Sequence, residues 1–379
     1  MKYILHIILL LFLLIGCDSS EIKKEVKNGV LIVENPEHGL WQKESIPPIS
    51  FELEKTFGKE NEPKVEILSG IGSVFTDNNK NVYIFDRKDN RLVAFDFDGN
   101  FLWSKGREGQ GPGEFNRTYG AICDGEEYIY VSNISGTRID RFDLNGNYQK
   151  SYTLASLKIA GVSLIGFIKP NILVATQSIT GECGICIILF ELNDTLKIRN
   201  KIDIVEDIGV KIPSYVGIGM DVNVLDEMIA VGNYHNYEIK YYNIEGKLIK
   251  KVTRDFEKLV RPGVWANGNY QSVATYGSLS APMKLLDKYE ISYSSWPINL
   301  KDPDRHIAQS QNNTAPELKY QNMIDLFNSE GELLYSIYND SSTPEIGNPI
   351  HVDNDGKLYT TIYDPFPQVR RYKVIINKK

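Results

Sequence analysis

From Asn81 onward, short runs of β-branched and aromatic residues alternate with polar turns, and the runs repeat. Asn81-Val82-Tyr83-Ile84-Phe85-Asp86, followed by Arg91-Leu92-Val93-Ala94-Phe95 and the turn Asp98-Gly99-Asn100, is one copy. Glu127-Tyr128-Ile129-Tyr130-Val131-Ser132, followed by Arg138-Ile139-Asp140-Arg141-Phe142 and the turn Asn145-Gly146-Asn147, is a second. Each copy predicts two strands joined by a polar loop and closed by a tight hairpin turn, whose glycine supplies the left-handed backbone such turns need. The turn position recurs at Asn193-Asp194, Glu245-Gly246-Lys247 and Glu330-Gly331-Glu332. Successive spacings from Gly99 are 47 residues to Gly146, 48 to Asp194, 52 to Gly246 and 85 to Gly331. Spacings of roughly 40 to 50 residues match a four-stranded propeller blade. The longest one implies a single blade carrying about 35 inserted residues.

A sixth copy runs from Pro349-Ile350-His351-Val352-Asp353 through Lys357-Leu358-Tyr359-Thr360 to Val369–Ile376, and it lacks a fourth strand. The missing strand is supplied at the other end: Phe51–Gly58 precedes the first copy as Phe101–Gly106 precedes the second. An N-terminal strand that completes the last blade removes the two edges an open ring would expose. The expected fold is therefore all-β, a six-bladed β-propeller of four-stranded antiparallel blades closed by an N-terminal strand.

On these residues the unit resembles the NHL-type repeat. From about Phe51 to Ile376 the chain resembles the six-bladed, TolB-like propeller lipoproteins common in Bacteroidetes. The glycine-rich segment Gly106-Arg107-Glu108-Gly109-Gln110-Gly111-Pro112-Gly113-Glu114-Phe115 is the part most like that group. The resemblance implies a fold and a location more than any chemistry. The same segment has a superficial likeness to a phosphate loop, but no Gly-Lys-Ser/Thr ending and no following helix, so it reads as a connector.

The N-terminus adds a destination. Lys2 is followed by an apolar run from Tyr3 to Ile15, interrupted only by His6. That run is shorter than the roughly 20 residues a helix needs to span a bilayer, and it reads as a targeting segment. Leu14-Ile15-Gly16-Cys17 resembles the lipobox of bacterial lipoproteins, in which a small residue precedes the cysteine that takes the diacylglyceryl group. Lipidation is thus expected at Cys17. Three regions follow: 1–16 as signal peptide, 17–44 as lipidated N-terminus and flexible tether, since Asp18–Asn28 is polar throughout most of its length, and 45–379 as propeller. The expected location is the cell envelope, anchored by lipid, with the outer membrane favoured over the inner.

Charge narrows the partners. The chain has 42 basic and 49 acidic residues, and removal of 1–16 takes away one lysine, leaving a formal charge of −8. That excludes a general nucleic-acid-binding role. The expected partners are a protein or glycan at the envelope and the membrane itself, and no cofactor is expected.

With strands named a to d from the centre outward, a/b and c/d turns lie on one face of the disc and b/c and d/a connections on the other. The long segments Glu206–Gly217, Arg254–Ser280 and Ser294–Lys319 all belong to the second face, which makes it the expected binding face. They supply the candidate ligand contacts Tyr215, Trp265, Tyr270, Tyr276, Trp296, Arg305 and His306, residue types suited to stacking on a sugar or a protein surface. The competing reading is that these aromatics pack the insertions onto the ring. His235, His306 and His351 could form a three-histidine metal site at the central mouth, although no motif spacing supports one. Asp77, Asp124 and Asp353 follow inner strands and read as turn formers. Cys183-Gly184-Ile185-Cys186 has the spacing of a local disulfide, and Cys123 is left unpaired. The expected function is a non-enzymatic binding or scaffold module. The alternative is a metal-dependent lactonase, hydrolase or lyase working in the central channel.

Overall fold

The computed structural model describes residues 21–61, 63–207, 219–233, 235–267, 270–339 and 346–378. The targeting segment, Cys17 and Tyr215 lie outside these residues. An N-terminal hairpin, β1 (Lys23–Lys27) and β2 (Val30–Asn35), precedes a longer strand β3 (Ile49–Phe57). Blade one contains β4 (Ile71–Thr76), β5 (Val82–Asp86), β6 (Arg91–Phe95) and β7 (Phe101–Lys105). Blade two contains β8 (Gly120–Cys123), β9 (Tyr128–Asn133), β10 (Arg138–Asp143) and β11 (Tyr148–Thr153). Blade three contains β12 (Ser163–Ile168), β13 (Ile172–Ser178), β14 (Cys183–Leu192) and β15 (Leu196–Glu206). Blade four contains β16 (Asp221–Leu225), β17 (Met228–Gly232), β18 (Glu238–Asn243) and β19 (Leu248–Arg254).

A separate hairpin, β20 (Gly263–Asn267) and β21 (Tyr270–Ala274), leads into blade five. There the inner strand is split into β22 (Ser278–Leu279) and β23 (Met283–Leu285), both paired with β24 (Tyr289–Pro297). Pro282, which has no N–H to give a ladder, falls in the break. After β24 the chain forms helix α1 (Pro303–Ser310) and returns as β25 (Tyr320–Asn328) and β26 (Leu333–Asn339). Blade six contains β27 (Asn348–Val352), β28 (Lys357–Ile362) and β29 (Gln368–Ile376), and β3 completes it by pairing antiparallel with β29. The six mainly four-stranded antiparallel sheets make a six-bladed β-propeller closed by the N-terminal strand, as the repeats predict.

The repeated turn explains itself in the structure. In blade two Asp143 accepts hydrogen bonds from the backbone of Asn145 and Asn147 and from the Asn147 side chain, at 2.8 to 3.0 Å. Gly146 sits at φ +72°, and a Cβ there would stand 2.7 Å from the Trp103 ring of blade one. Glycine at this position thus serves both the left-handed backbone and the close approach of one blade to the next. Each of the six c/d strand pairs also carries a register shift, which adds twist at the rim.

The core is a ring of layers rather than one nucleus, because each sheet buries both faces against its neighbours. Ile84, Val93 and Tyr359 share one layer between blades six and one; Val174, Ile187 and Val231 share another between blades three and four. Cys183 packs into the layer between blades three and four, and Cys186 into the one between blades two and three. Residues three apart on a strand point to opposite faces, so both thiols are free and the local disulfide that their spacing allows does not form.

A second correction concerns the tether. β2 pairs parallel with β19 and β1 caps β2, making blade four six-stranded. Asn35, 4% exposed, then bonds Gly331 and Leu333 of blade five. Leu40 and Trp41 donate to the carbonyls of Leu333 and Leu334, and Gln42 exchanges two bonds with Ser336. From Lys23 onward the chain is therefore a belt across the rims of blades four and five that continues into the closing strand of blade six.

Candidate functional site

Every inner strand starts on the b/c and d/a face and ends at an a/b turn, so the structure places the long connections on one side as the sequence reading expects. On that side the blade-five insertion and the loop before it fold onto each other. Asp302 caps α1 by accepting from the Arg305 N–H at 3.0 Å. Asp304 takes both terminal nitrogens of Arg261, at 3.0 and 2.7 Å, and the N–H of Val264 at 2.8 Å. The Tyr276 hydroxyl lies 3.3 Å from His306 Nδ1 and donates to the carbonyl of Pro303, while His306 Nε2 lies 3.0 Å from the carbonyl of Pro316.

These contacts decide most of the predicted ligand residues. Tyr276 is 7% exposed, and His306 is spent on holding α1 to the preceding loop. Trp296 is 4% exposed and packs edge to face on Phe256, with ring centroids 5.0 Å apart. Trp296 is a core residue, because its strand position faces the layer between blades four and five rather than the insertion. Trp265 is half-buried on β20, Arg305 is exposed on α1, and Tyr270 lies on β21. The structure thus brings Tyr276 and His306 together as packing and leaves Arg305 facing solvent.

The three histidines do not share a site. His351 faces the channel with Nε2 3.0 Å from the Thr76 hydroxyl, His306 is held as described, and His235 lies in the b/c loop of blade four. Among the described residues there is no group of three or more His, Cys, Asp or Glu side chains arranged to hold a metal ion. Asp77 accepts from Asn81 and Tyr83, Asp124 from the backbone of residues 126 to 128, and Asp353 from residues 355, 357 and Tyr359, which is the turn chemistry expected.

Two cavities follow the axis. The first, about 830 Å³, is the central channel, lined by all six inner strands. At its a/b end stand Asp124, Asp226, Glu227, Asp287 and Asp353, against Lys169 and Lys284. Asp221 on its wall accepts from the N–H of Ala281 at 2.8 Å, and burial pushes its carboxyl up to about 6.

The second cavity, about 480 Å³, opens on the b/c and d/a face over blades one to three and shares Gly72, Ser73 and Leu164 with the channel. Its wall carries Arg87 from the b/c loop of blade one, Thr118, Tyr119 and Gly120 where the chain runs into blade two, Gly161 and Ser163 where it runs into blade three, and Thr176 and Ser178 from β13. Ser163 donates to the carbonyl of Tyr119 and ties these two connections together. Thr118 is 2% exposed and its buried hydroxyl has no partner, an uncommon state for an interior hydroxyl. Among the described residues no Asp or Glu lines this cavity. This site is made by short connections into blades two and three, not by the long loops that carry the candidate aromatics. The signal available was the small residues leading into successive inner strands, Gly72-Ser73, Gly120 and Gly161.

The comparisons agree on the architecture. A family model described as a six-bladed β-propeller, DUF5128, matches residues 64–164, which span blades one and two and the start of blade three. No curated protein matches the chain. Among solved structures, a member of the DUF4221 family from Bacteroides vulgatus superposes with a TM-score of 0.57 at 11% identity, covering 86% of this chain and 99% of its own. A Bacteroides fragilis protein taken to be exported gives a TM-score of 0.57 at 11% identity, over 92% of this chain and 100% of its own. At that identity the likeness is one of fold. It supports a six-bladed propeller of the kind found in Bacteroides. No helix among the described residues is long and apolar enough to cross a membrane.

Proposed function

We propose that this protein is a lipid-anchored binding module of the bacterial cell envelope, an NHL-like, TolB-like propeller that presents its ligand site on the b/c and d/a face. The carrying observation is the cavity of about 480 Å³ where the chain runs into blades one to three, which combines concavity, hydroxyls without partners and an unpaired arginine. The anchor rests on the Leu14-Ile15-Gly16-Cys17 join, and the export of one structural neighbour is in keeping with it.

The test has two parts. Cys17→Ser should abolish lipid labelling and release the protein from membranes; retention of the variant in the detergent phase would place the anchor elsewhere. For the site, Ser178→Tyr should fill the cavity mouth without touching the inter-blade layers. It should then abolish capture of whatever envelope glycan or protein the wild type retains on an array. Equal capture by both would remove the cavity from the function.

A further inference from the structure

We infer that the cavity over blades one to three takes an acidic saccharide, with a carboxylate on Arg87 and a sugar ring against Tyr119. This rests on the binding reading above and adds the ligand's class. Arg87 is exposed, makes no ion pair among the described residues, as is also true of Arg117, Arg141, Arg199, Arg305 and Arg370, and is the arginine among them that lines the cavity. Its guanidinium fork, which suits a carboxylate in two-point contact, is therefore free at the cavity wall.

The rest of the wall supplies donors. Ser73 Oγ accepts from the N–H of Ala121 at 3.1 Å, which leaves its own proton to give. Thr176 and Ser178 make no side-chain hydrogen bond within the described residues, and no carboxylate lines the space to compete. A donor-rich wall without acids is complementary to an acceptor-rich, anionic ligand. The opposite mouth of the channel is acidic, so the attraction is local to this end even though the whole chain is negative.

Size and apolar surface point to a sugar rather than an inorganic anion. The volume of about 480 Å³ falls within the range of small-molecule sites. Tyr119 is 43% exposed at the rim, an aromatic face suited to the C–H side of a ring. Gly120, φ +138°, lets blades two and three approach closely, since a Cβ there would stand 2.8 Å from the carbonyl oxygen of Leu164, whereas a Cβ at Gly161 would meet nothing within 4 Å, so the open space of the wall lies at Gly161.

The test is calorimetric titration of the full chain with trisaccharides of galacturonate, glucuronate and mannuronate, each beside its carboxyl-reduced neutral counterpart. At least one uronide should bind, its neutral counterpart should bind roughly tenfold to a hundredfold more weakly, and raising the salt should weaken the uronide alone. Arg87→Ala should erase the preference, and because Arg87 is exposed it should leave the denaturation midpoint unchanged. Neutral and acidic sugars binding equally, with Ser178→Tyr abolishing both, would overturn the acidic class and keep the binding site. No saccharide of either kind binding would overturn the acidic-sugar assignment. Uronide binding unaffected by Arg87→Ala and Ser178→Tyr would place the sugar site elsewhere and overturn the assignment to this cavity.

Discussion

His351 stands on the channel wall against Tyr359, with ring centroids 5.5 Å apart and the Thr76 hydroxyl 3.0 Å from Nε2. Burial pushes its imidazole down to about 4. Above the ordinary value near 6.5 the ring is neutral in folded and unfolded chains alike and contributes no pH dependence. As the pH falls below that, the unfolded chain takes a proton that the folded chain refuses, so stability is full above about 6.5 and is lost progressively down to about 4. The loss should be on the order of 2 kcal/mol. Urea midpoints at pH 7.5 and 4.5 check this: His351→Gln should lose less than the wild type, and identical losses would show that other groups carry the effect. Trp296 gives a second expectation at this scale. Buried against Phe256 in an inter-blade layer, it should cost about 3 to 5 kcal/mol when changed to Ala. The urea midpoint should fall accordingly. In the acidic-saccharide titration the remaining folded protein should bind like the wild type, since Trp296 does not line the cavity.

At the scale of elements, what could be read in the sequence was what alternates. Blades one and two declare themselves because Val82–Phe85 and Ile129–Val131 are buried on both faces and each follows a turn bonded by an Asp side chain. The closing strand is legible because Phe51–Gly58 repeats the spacing of Phe101–Gly106. β1 is not, since Lys23–Lys27 is exposed at all five positions and an edge strand of that kind has no apolar period to detect. Among the candidate residues on the insertions, Tyr276 and His306 serve packing, because a loop long enough to fold on itself needs contacts of its own. The belt and the closing strand should separate in a deletion experiment. Removing 21–42 uncovers Val33, which is fully buried, and takes the carbonyl of Glu37 from Arg254, an arginine whose buried carboxylate partner is Asp325. The denaturation midpoint should fall while unfolding stays a single transition, because β3 still closes the ring. Removing 49–57 should instead expose β29 and give aggregated protein on gel filtration. An unchanged midpoint for the first deletion would mean the belt contributes nothing.

For the whole molecule, the lipid proposed on Cys17 would be converted by the belt into an orientation. Only residues 18–22 separate that cysteine from β1, the outermost strand of blade four. Fully extended, the link reaches about 20 Å. With the proposed anchor, the rim of blade four would be held next to the bilayer, while blade one, opposite it in a ring of six, would point away. A disc attached by its rim would stand on edge and leave both the acidic mouth and the donor-lined cavity open to large ligands. Lys23 and Lys27 on β1 would then face the headgroups, where each lysine near an anionic surface adds about 1 kcal/mol, while Lys24 is paired with Glu330 and Glu332 of blade five. Environment-sensitive labels measure the arrangement on lipidated protein in vesicles carrying headgroup quenchers. A label at Lys27→Cys should be quenched strongly, one at Leu102→Cys on the outer strand of blade one should not, and labels at Tyr119→Cys and Asp287→Cys, one for each mouth, should be quenched weakly and alike. Strong quenching confined to one mouth would mean that the disc lies flat and that the opposite face alone is free to bind.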